Sequence, residues 1–382
     1  RQRQMCIRDR LSSDLMTARG DEGTATVLFG LDIPLVPSDI GLEMELLVGL
    51  KNSHPIHRAK YVPNVLSQTL RDWLSASIGE GVIEQGAFLW RGALRRGSGS
   101  LRSVQLAFNL SDTSIDYHPL WPPVKVQTGV VLIDDADVSV WANQADLYAS
   151  RIGHLSAETW LDAQGQIMLA VNARLRGPAE DGLAVLNDSP INDLVKGTFQ
   201  DWSLSGQLEI DLQLQMNLSD KAVPPQVEVA TRWQQVDMGI SPGNLQLRGI
   251  SGDFSYSSSR GFSSNGLEGL LWDKSFSAAV SQQHTAGAQR YDPARSLTEV
   301  VVTSRVDMAD VQGWLELQSL AFATGETAAE VRVQVAPGEP PLLLVETDLV
   351  GINLDIPAPW TNAAEQAQTI QLQLPLGVPG AV

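Results

Sequence analysis

The sequence predicts a mainly β protein built on an antiparallel sheet. The first observation is a period-2 alternation of apolar and polar residues, which recurs along most of the 382-residue chain. The second is that clusters of glycine, proline and serine separate the alternating stretches, as turns separate strands. The third is a hydrophobic content of 43%, which is enough to bury a large apolar surface. Together these observations predict many strands, each paired antiparallel with a neighbour.

The alternation is strictest in residues 207–218. The apolar members are Leu208, Ile210, Leu212, Leu214, Met216 and Leu218. Every residue between them is polar, and successive strand side chains point to opposite faces, so this strand has one apolar and one polar face. At about 3.3 Å per residue it would span about 40 Å, roughly twice the length of an ordinary strand. Its apolar face needs a cover, which a bilayer, a second sheet or a bound ligand could supply.

The other predicted strands also present apolar faces. In chain order these faces are Val104, Leu106, Phe108 and Leu110; Val124, Val126, Val130 and Leu132; Ile167, Leu169, Val171, Ala173 and Leu175; Val227 and Val229; Leu245 and Leu247; Val331, Val333 and Val335; and Ile370, Leu372, Leu374 and Leu376. Turns are predicted at residues 97–100, 178–182, 257–261 and 337–341. Residues 282–296 lack periodicity and are predicted to form a loop.

One segment, residues 59–78, breaks the strand pattern. Its apolar residues recur at three- and four-residue spacing, which is typical of a helix. Pro63 suits a first helical turn, and Gly79 suits a position just after the helix end. We therefore predict a short helical insertion that packs against the sheet.

Composition excludes several classes of protein. The formal net charge is -17, from 44 acidic and 27 basic residues. Nucleic-acid binding needs clustered cations and is therefore not expected. The single cysteine, Cys6, permits no internal disulfide. The sequence contains no run of 18 apolar residues that could span a bilayer as a helix.

No catalytic, metal or cofactor site is predicted. The five histidines are scattered, and no acidic or cysteine cluster completes a metal set around His54 and His57. The chain contains neither a phosphate-binding glycine loop nor a nucleophile elbow. Asp134, Asp135 and Asp137 lack the rest of a calcium loop and indicate a solvated turn. We expect a protein that is not an enzyme.

The two ends differ in character from the rest of the chain. Residues 1–10 carry four arginines and the only cysteine, and we expect them to be a non-native leader. We expect residues 11–382 to form one continuous section of a larger β protein, because the chain stops shortly after a good strand pattern.

Four short elements resemble the AsmA-like family of Gram-negative envelope proteins, specifically its YhdP type. Residues 61–63, continuing to Trp73 and Leu74, resemble a Y-L-P helix that ends in W-L. Residues 117–122 are similar to a Y-x-P-x-W-P element, and residues 188–191 to an S-P-L step. Residues 348–359 resemble a D-L-x-G…L-P-x-P signature. All four occur in the order that the family shows.

The resemblance implies an elongated, twisted antiparallel sheet curled into a hydrophobic groove, as in bridge-like lipid-transfer proteins. It implies a section of a periplasm-spanning conduit that carries phospholipids between the inner and outer membranes and shields their acyl chains. The full-length protein would be anchored in the inner membrane by a segment outside this chain, and its partner at the outer membrane is not identified. The candidate groove-lining residues are Leu208, Ile210, Leu212, Leu214, Met216, Leu218, Ile167, Leu169, Val171, Val104, Leu106 and Phe108.

Two other interpretations stay open at this point. Alternating segments of about ten residues also typify an outer-membrane β-barrel, although the aromatic content is only 6% and no aromatic girdles bracket the strands. A closed β-sandwich or scaffold would instead pack the same apolar faces into a dry core. An open groove leaves Leu208, Leu212 and Met216 accessible to lipid, whereas a second sheet would bury them.

Overall fold

The structure is a computed structural model that describes most of the chain. The described residues are 8–21, 23–35, 40–57, 68–95, 101–189, 192, 199–220, 222–241, 244–283, 292, 295–316, 318–336, 339–357 and 361–375. Predictions for residues 58–67, 97–100, 284–291 and 376 fall outside them.

The described part of the chain is mainly β, as predicted. Its strands are β1 (Arg8–Ser12), β2 (Met16–Gly20), β3 (Gly23–Pro34), β4 (Glu43–Ser53), β5 (Val82–Ala93), β6 (Arg102–Ile115), β7 (Val124–Asp134), β8 (Asp137–Leu147), β9 (Ser150–Leu161), β10 (Ile167–Pro178), β11 (Ser203–Asn217), β12 (Gln226–Ile240), β13 (Leu245–Ser257), β14 (Gly261–Leu271), β15 (Lys274–Gln283), β16 (Leu297–Asp307), β17 (Ala323–Val335), β18 (Leu342–Thr347), β19 (Ile352–Leu354) and β20 (Ile370–Pro375). The helices are α1 (Gln68–Ser77), α2 (Ala179–Asn187) and α3 (Met308–Leu315), with 3-10 turns at Pro55–His57 and Gln318–Phe322. The strands belong to an antiparallel sheet, which confirms the predicted fold class.

The chain divides into two compact units. The first comprises Arg1–Leu175 and Leu214–Pro224, and the second Arg176–Gln213 and Pro225–Val382. In the first unit, each strand from β3 to β9 pairs antiparallel with the next. Strands β1 and β2 both pair with β3, so residues 8–10 of the expected leader take part in the sheet.

Helix α1 closes the core of the first unit. The predicted helical insertion is present as α1, whose Leu74 is 2% exposed. Leu74 packs with Trp90, Val104 and Leu106 on one face of the sheet. The amide of Gly79, just beyond the helix, donates to the Ser114 carbonyl at 2.8 Å, so the chain leaves the helix directly onto the sheet.

The prediction that Val124, Val126, Val130 and Leu132 share one face is wrong. Val126 is 2% exposed, whereas Val130 is 40% and Leu132 38% exposed. The pairing of β7 with β8 shifts register on both sides of Thr128. Such a bulge reverses which residues point to a given face, because side chains alternate with a strict period of two. Val131, rather than Val130, therefore enters the core.

In the second unit, consecutive strands pair antiparallel from β12 through to β18. Strand β20 pairs with β18, and β19 pairs with β17. The turn predicted at 257–261 lies between β13 and β14 as expected.

The turn predicted at residues 178–182 is instead the start of helix α2. Pro178 precedes the first helical residue, where a missing N–H costs nothing, and Glu180 and Asp181 favour the positive end of the helix. Ala179 and Leu183 are buried, and Ala179 packs with Leu208 of the sheet. Burial of this short apolar stripe outweighs the turn-like composition.

The helices recur at a regular interval along the described chain. Helix α1 lies between β4 and β5, α2 between β10 and β11, and α3 between β16 and β17. A glycine of positive φ lies near the start of the strand after each helix: Gly81 (φ 152°) just before β5, Gly206 (φ 113°) inside β11 and Gly325 (φ 108°) inside β17. A Cβ at any of the three would overlap atoms of a neighbouring segment. These glycines therefore permit a close backbone approach that other residues cannot make.

We expect Gly325→Ala to lower the free energy of unfolding by about 2 kcal/mol, because the new Cβ would meet the Gly351 carbonyl oxygen at a positive φ. Gly266→Ala is the matched control, since it lies in a strand of the same unit and a Cβ there meets no atom within 4 Å. The control should change stability by less than about 0.5 kcal/mol. Urea unfolding of both variants measures the difference, and equal effects would contradict the close-approach explanation.

Candidate functional site

A continuous apolar surface crosses the sheet of the second unit on one face. The strand registers place its side chains in three rows. The first row is Trp233, Gly252, Leu267, Ala278, Val302, Val331, Val345 and Leu372; the second is Thr231, Phe254, Ser264, Val280, Val300, Val333, Leu343 and Leu374; the third is Val229, Tyr256 and Phe262, followed by Gln282, Thr298 and Val335. We call this surface the apolar lane. Rows two residues apart make it about 13 Å wide.

Helix α2 covers the region beside the lane. Leu208, Val236, Ile250 and Phe276 are at most 6% exposed and form one cluster with Ala179. In the lane, Ala278 belongs to the same buried cluster and Val280 is 9% exposed, whereas Val300 and Val333 are only half-buried. One part of the apolar face is therefore a closed core, and the adjoining part keeps hydrocarbon surface within reach of a ligand.

Four aromatic residues lie at the β12–β14 end of the lane. Ring centroids are 6.4 Å apart for Trp233 and Phe254, 5.9 Å for Phe254 and Phe262, and 5.0 Å for Tyr256 and Phe262. We call these residues the aromatic cluster. All four are half-buried, and burial raises the pKa of Tyr256. The cluster offers ring faces and edges as a contact surface.

The opposite face of the second unit is ionic. Glu209 lies 3.7 Å from Arg176 and 3.9 Å from Arg232, and Arg232 lies 3.1 Å from Asp253. These side chains belong to four strands, β10 to β13, and are mostly exposed. Exposed pairs contribute at most about 1 kcal/mol each, so they keep this face hydrated rather than hold the sheet together.

One partly shielded ion cluster joins β15, β16 and β17. Glu326 accepts a hydrogen bond from Lys274 at 2.7 Å and a second from Arg305. These two bonds, first that of Lys274, hold the pKa of the Glu326 carboxyl below its usual value. The bond to Glu326 in turn raises the pKa of Lys274. Lys274 and Glu326 are thus kept charged and paired at neutral pH.

Strand β11 carries five of the twelve predicted lining residues and starts four residues before residue 207. Leu208 is buried, and Ile210, Leu212, Leu214 and Met216 are half-buried, while Gln207, Asp211, Gln213 and Gln215 are exposed as predicted. Two residues of the predicted polar face differ: Glu209 is half-buried, and Asn217 is 7% exposed because its side-chain oxygen accepts the amides of Ser219 and Asp220. Leu218 lies beyond the strand end and is 41% exposed.

The other predicted lining residues lie in the first unit. On β10, Ile167 is 41% exposed, and its carbonyl accepts the Leu218 amide at 2.8 Å. Leu169 and Val171 are half-buried. On β6, Val104 and Leu106 are 7% and 1% exposed in the core under α1, and Phe108 packs against that core.

Sequence reasoning missed the aromatic cluster. Phe254 and Tyr256 alternate with serines, and Phe262 follows the turn after them, so the period-2 signal was present. What the sequence did not reveal is that the β13–β14 turn brings Tyr256 opposite Phe262, and that β12 brings Trp233 to the same face.

The structure also bears on metal binding and on membrane-spanning helices. Within the described ranges, no group of three or more His, Cys, Asp or Glu side chains could hold a metal ion. Asp135 is one of the three aspartates predicted to lie in a solvated turn. Its carboxylate accepts a hydrogen bond from the Val104 amide at 2.7 Å, which stabilises that turn. Of the helices that the structure describes, none is both long enough and apolar enough to cross a membrane.

Comparison with known proteins identifies the family. The model of the YhdP protein family matches residues 30–377. A curated relative, "Intermembrane phospholipid transporter YhdP" of Escherichia coli (strain K12), is 22% identical over 219 residues. That match covers 55% of this chain but 17% of the relative, so the chain spans only a small part of the relative's length. No solved structure matches the chain. Because the family match covers most of its length, the chain belongs to the YhdP family.

Proposed function

We propose that this protein carries phospholipids, with their acyl chains lying on the apolar lane and their headgroups in water. The observation that carries the proposal is the apolar surface that runs from Trp233 to Leu372 across the strands of the second unit, with accessible side chains such as Val300, Val333 and Leu372. Its family, and the name of the curated relative, support phospholipid as the cargo.

Such a surface can lower the free-energy cost of moving a phospholipid through water. Each CH₂ that leaves a membrane for water costs about 0.8 kcal/mol, so two acyl chains together cost tens of kcal/mol. A surface that replaces membrane contacts along the whole route removes most of this cost. A lane of many weak apolar contacts lets a chain exchange one contact for the next as it moves, so it suits transport. Such a device needs no catalytic residues, and we propose that the protein is not an enzyme.

The proposed place of action is the periplasm, between the inner and outer membranes of a Gram-negative envelope. There the chain would be a section of a longer conduit that spans the periplasm and is anchored in the inner membrane. The net charge of -17 suits a surface that remains in water and does not adhere to anionic lipid headgroups.

A second candidate is a structural scaffold whose apolar faces form closed cores. The observations that favour it are the burial of Leu106 under α1 and of Leu208 beside α2. This candidate predicts that no lipid reaches the half-buried residues of the lane.

A photo-crosslinking experiment separates the two candidates. We expect a photoactivatable leucine at Val300, on the lane, to capture phospholipid in cells. The same probe at Val301, the next residue on the opposite face of β16, should capture less than a tenth as much. Both sites are valines in the same strand, so insertion of the probe disturbs them similarly. Failure to capture lipid at Val300, or equal capture at Val301, would favour the scaffold.

A further inference from the structure

We propose that the aromatic cluster (Trp233, Phe254, Tyr256 and Phe262) is an acyl-chain binding station, where a passing chain remains longer than elsewhere on the lane. This inference rests on the proposed transport function and adds a location to it. Beyond β14 the lane is lined mainly by Val, Ala, Leu and Thr side chains. Aromatic rings provide more contact area than these residues, so a chain lying across the cluster makes more contacts.

The indole N–H of Trp233 and two hydroxyl groups beside the rings are already hydrogen-bonded within the protein. The indole N–H of Trp233 donates to the Thr231 hydroxyl at 2.9 Å, and that hydroxyl donates to the Phe254 carbonyl at 2.9 Å. The hydroxyl of Ser264, which is 5% exposed, donates to the Asp253 carbonyl at 2.7 Å. These groups therefore do not require hydrogen bonds from a ligand. Apart from the Tyr256 hydroxyl, the rings present hydrocarbon surface, which fits the apolar part of a ligand.

The chemistry selects an acyl chain as the occupant. A peptide strand or a lipid headgroup brings donors and acceptors that must be paired when they leave water. Neither would find a free donor among Thr231, Trp233 and Ser264, because their O–H and N–H groups already donate to acceptors of the protein. An acyl chain brings only CH₂ and CH₃ groups and loses nothing there.

The ring geometry adds preorganisation. Phe254 contacts Trp233 on one side and Phe262 on the other, and Phe262 also contacts Tyr256. Side chains held by their neighbours lose little conformational freedom when a ligand binds, which favours binding at this point of the lane. Phe276, by contrast, is 6% exposed and packed in the closed core, so it offers no comparable surface.

The test compares two positions of the lane with one probe. Photoactivatable leucine replaces Val229, which is paired with Tyr256, or Val333, which is paired with Val300 and Leu343. Both are half-buried valines on strands. The purified protein is mixed with vesicles of phosphatidylethanolamine and phosphatidylglycerol that carry tritiated oleoyl chains. We expect at least three-fold more lipid adduct at Val229 than at Val333.

The outcomes are distinguishable. If capture at Val229 equals or falls below that at Val333, the proposal of a binding station at the aromatic cluster is wrong, and the transport proposal stands. If neither position captures lipid, both proposals are wrong. In the Phe254→Leu, Phe262→Leu double variant, capture at Val229 should fall to the level at Val333. Unchanged lipid capture at Val333 shows that the double variant is folded. If capture at Val333 is lost, the single variant Phe262→Leu is used for the same comparison. Persistence of the three-fold excess without the rings would also overturn the inference.

Discussion

Leu212→Asp is expected to reduce phospholipid transport at least ten-fold. Leu212 is half-buried and lies on the same face of β11 as Leu208 and Ile210, which pack in the cluster that also contacts Trp233 of the lane. A carboxylate there keeps its hydration, so a passing acyl chain must give up apolar contact. Exposing two or three CH₂ groups costs about 2 kcal/mol, and about 1.4 kcal/mol corresponds to a factor of ten. The measurement is the rate at which pulse-labelled phospholipid reaches the outer membrane.

The matched control is Gln213→Asp, which adds the same charge one residue away on the exposed face of β11. Its transport rate should stay within about two-fold of the wild type, since surface substitutions rarely disturb a fold. Resistance to limited proteolysis must show that both variants are folded. Normal transport by a folded Leu212→Asp protein would contradict the proposal that this face carries lipid. An equal loss in Gln213→Asp would show that added charge, rather than its position, is responsible.

Much of the fold could be predicted because strand periodicity is a local property. The alternation in β11 is visible in the sequence, and the structure places its apolar members on one face. The bulge in β7 could not be predicted, because Thr128 and Gly129 look like ordinary strand residues and the register shift depends on pairing with β8. Helix α2 was missed for a related reason. Its nine residues are too few to show a helical period clearly, and its stability comes from contacts with Leu208 and its neighbours.

The candidate site could be predicted only in kind. Alternation predicts that a face is apolar, but it does not predict which part of that face another element covers. Leu208 and Leu212 are therefore equivalent in the sequence pattern. In the structure Leu208 is 6% exposed beside α2, and Leu212 is half-buried. The difference arises from packing: α2, the element that precedes β11 in the chain, contacts Leu208 through Ala179. The aromatic cluster is likewise a product of pairing among β12, β13 and β14.

Leu106→Ala is expected to lower the free energy of unfolding by about 3 kcal/mol. Leu106 is 1% exposed, lies opposite Phe88 and Ile133 on the neighbouring strands, and belongs to the core that contains Leu74 of α1. Truncation removes buried hydrocarbon and leaves a cavity that a well-packed sheet cannot fill, and such substitutions cost about 2–5 kcal/mol. Urea unfolding, followed by tryptophan fluorescence, measures the change.

Leu132→Ala is the control, because Leu132 is a leucine of the same unit that is 38% exposed on the opposite face of the sheet. It should cost less than about 1 kcal/mol, since its side chain stays partly in water when the protein folds. The pair also bears on whether Val104 and Leu106 line a route for lipid. A side chain that a moving ligand contacts must be open to exchange with it, whereas one whose removal costs several kcal/mol is held in a static core. If Leu106→Ala greatly lowers the free energy of unfolding but leaves lipid transport normal, β6 supports the sheet and does not line the lipid route. If it lowers the free energy of unfolding only slightly but slows lipid transport, β6 lines that route.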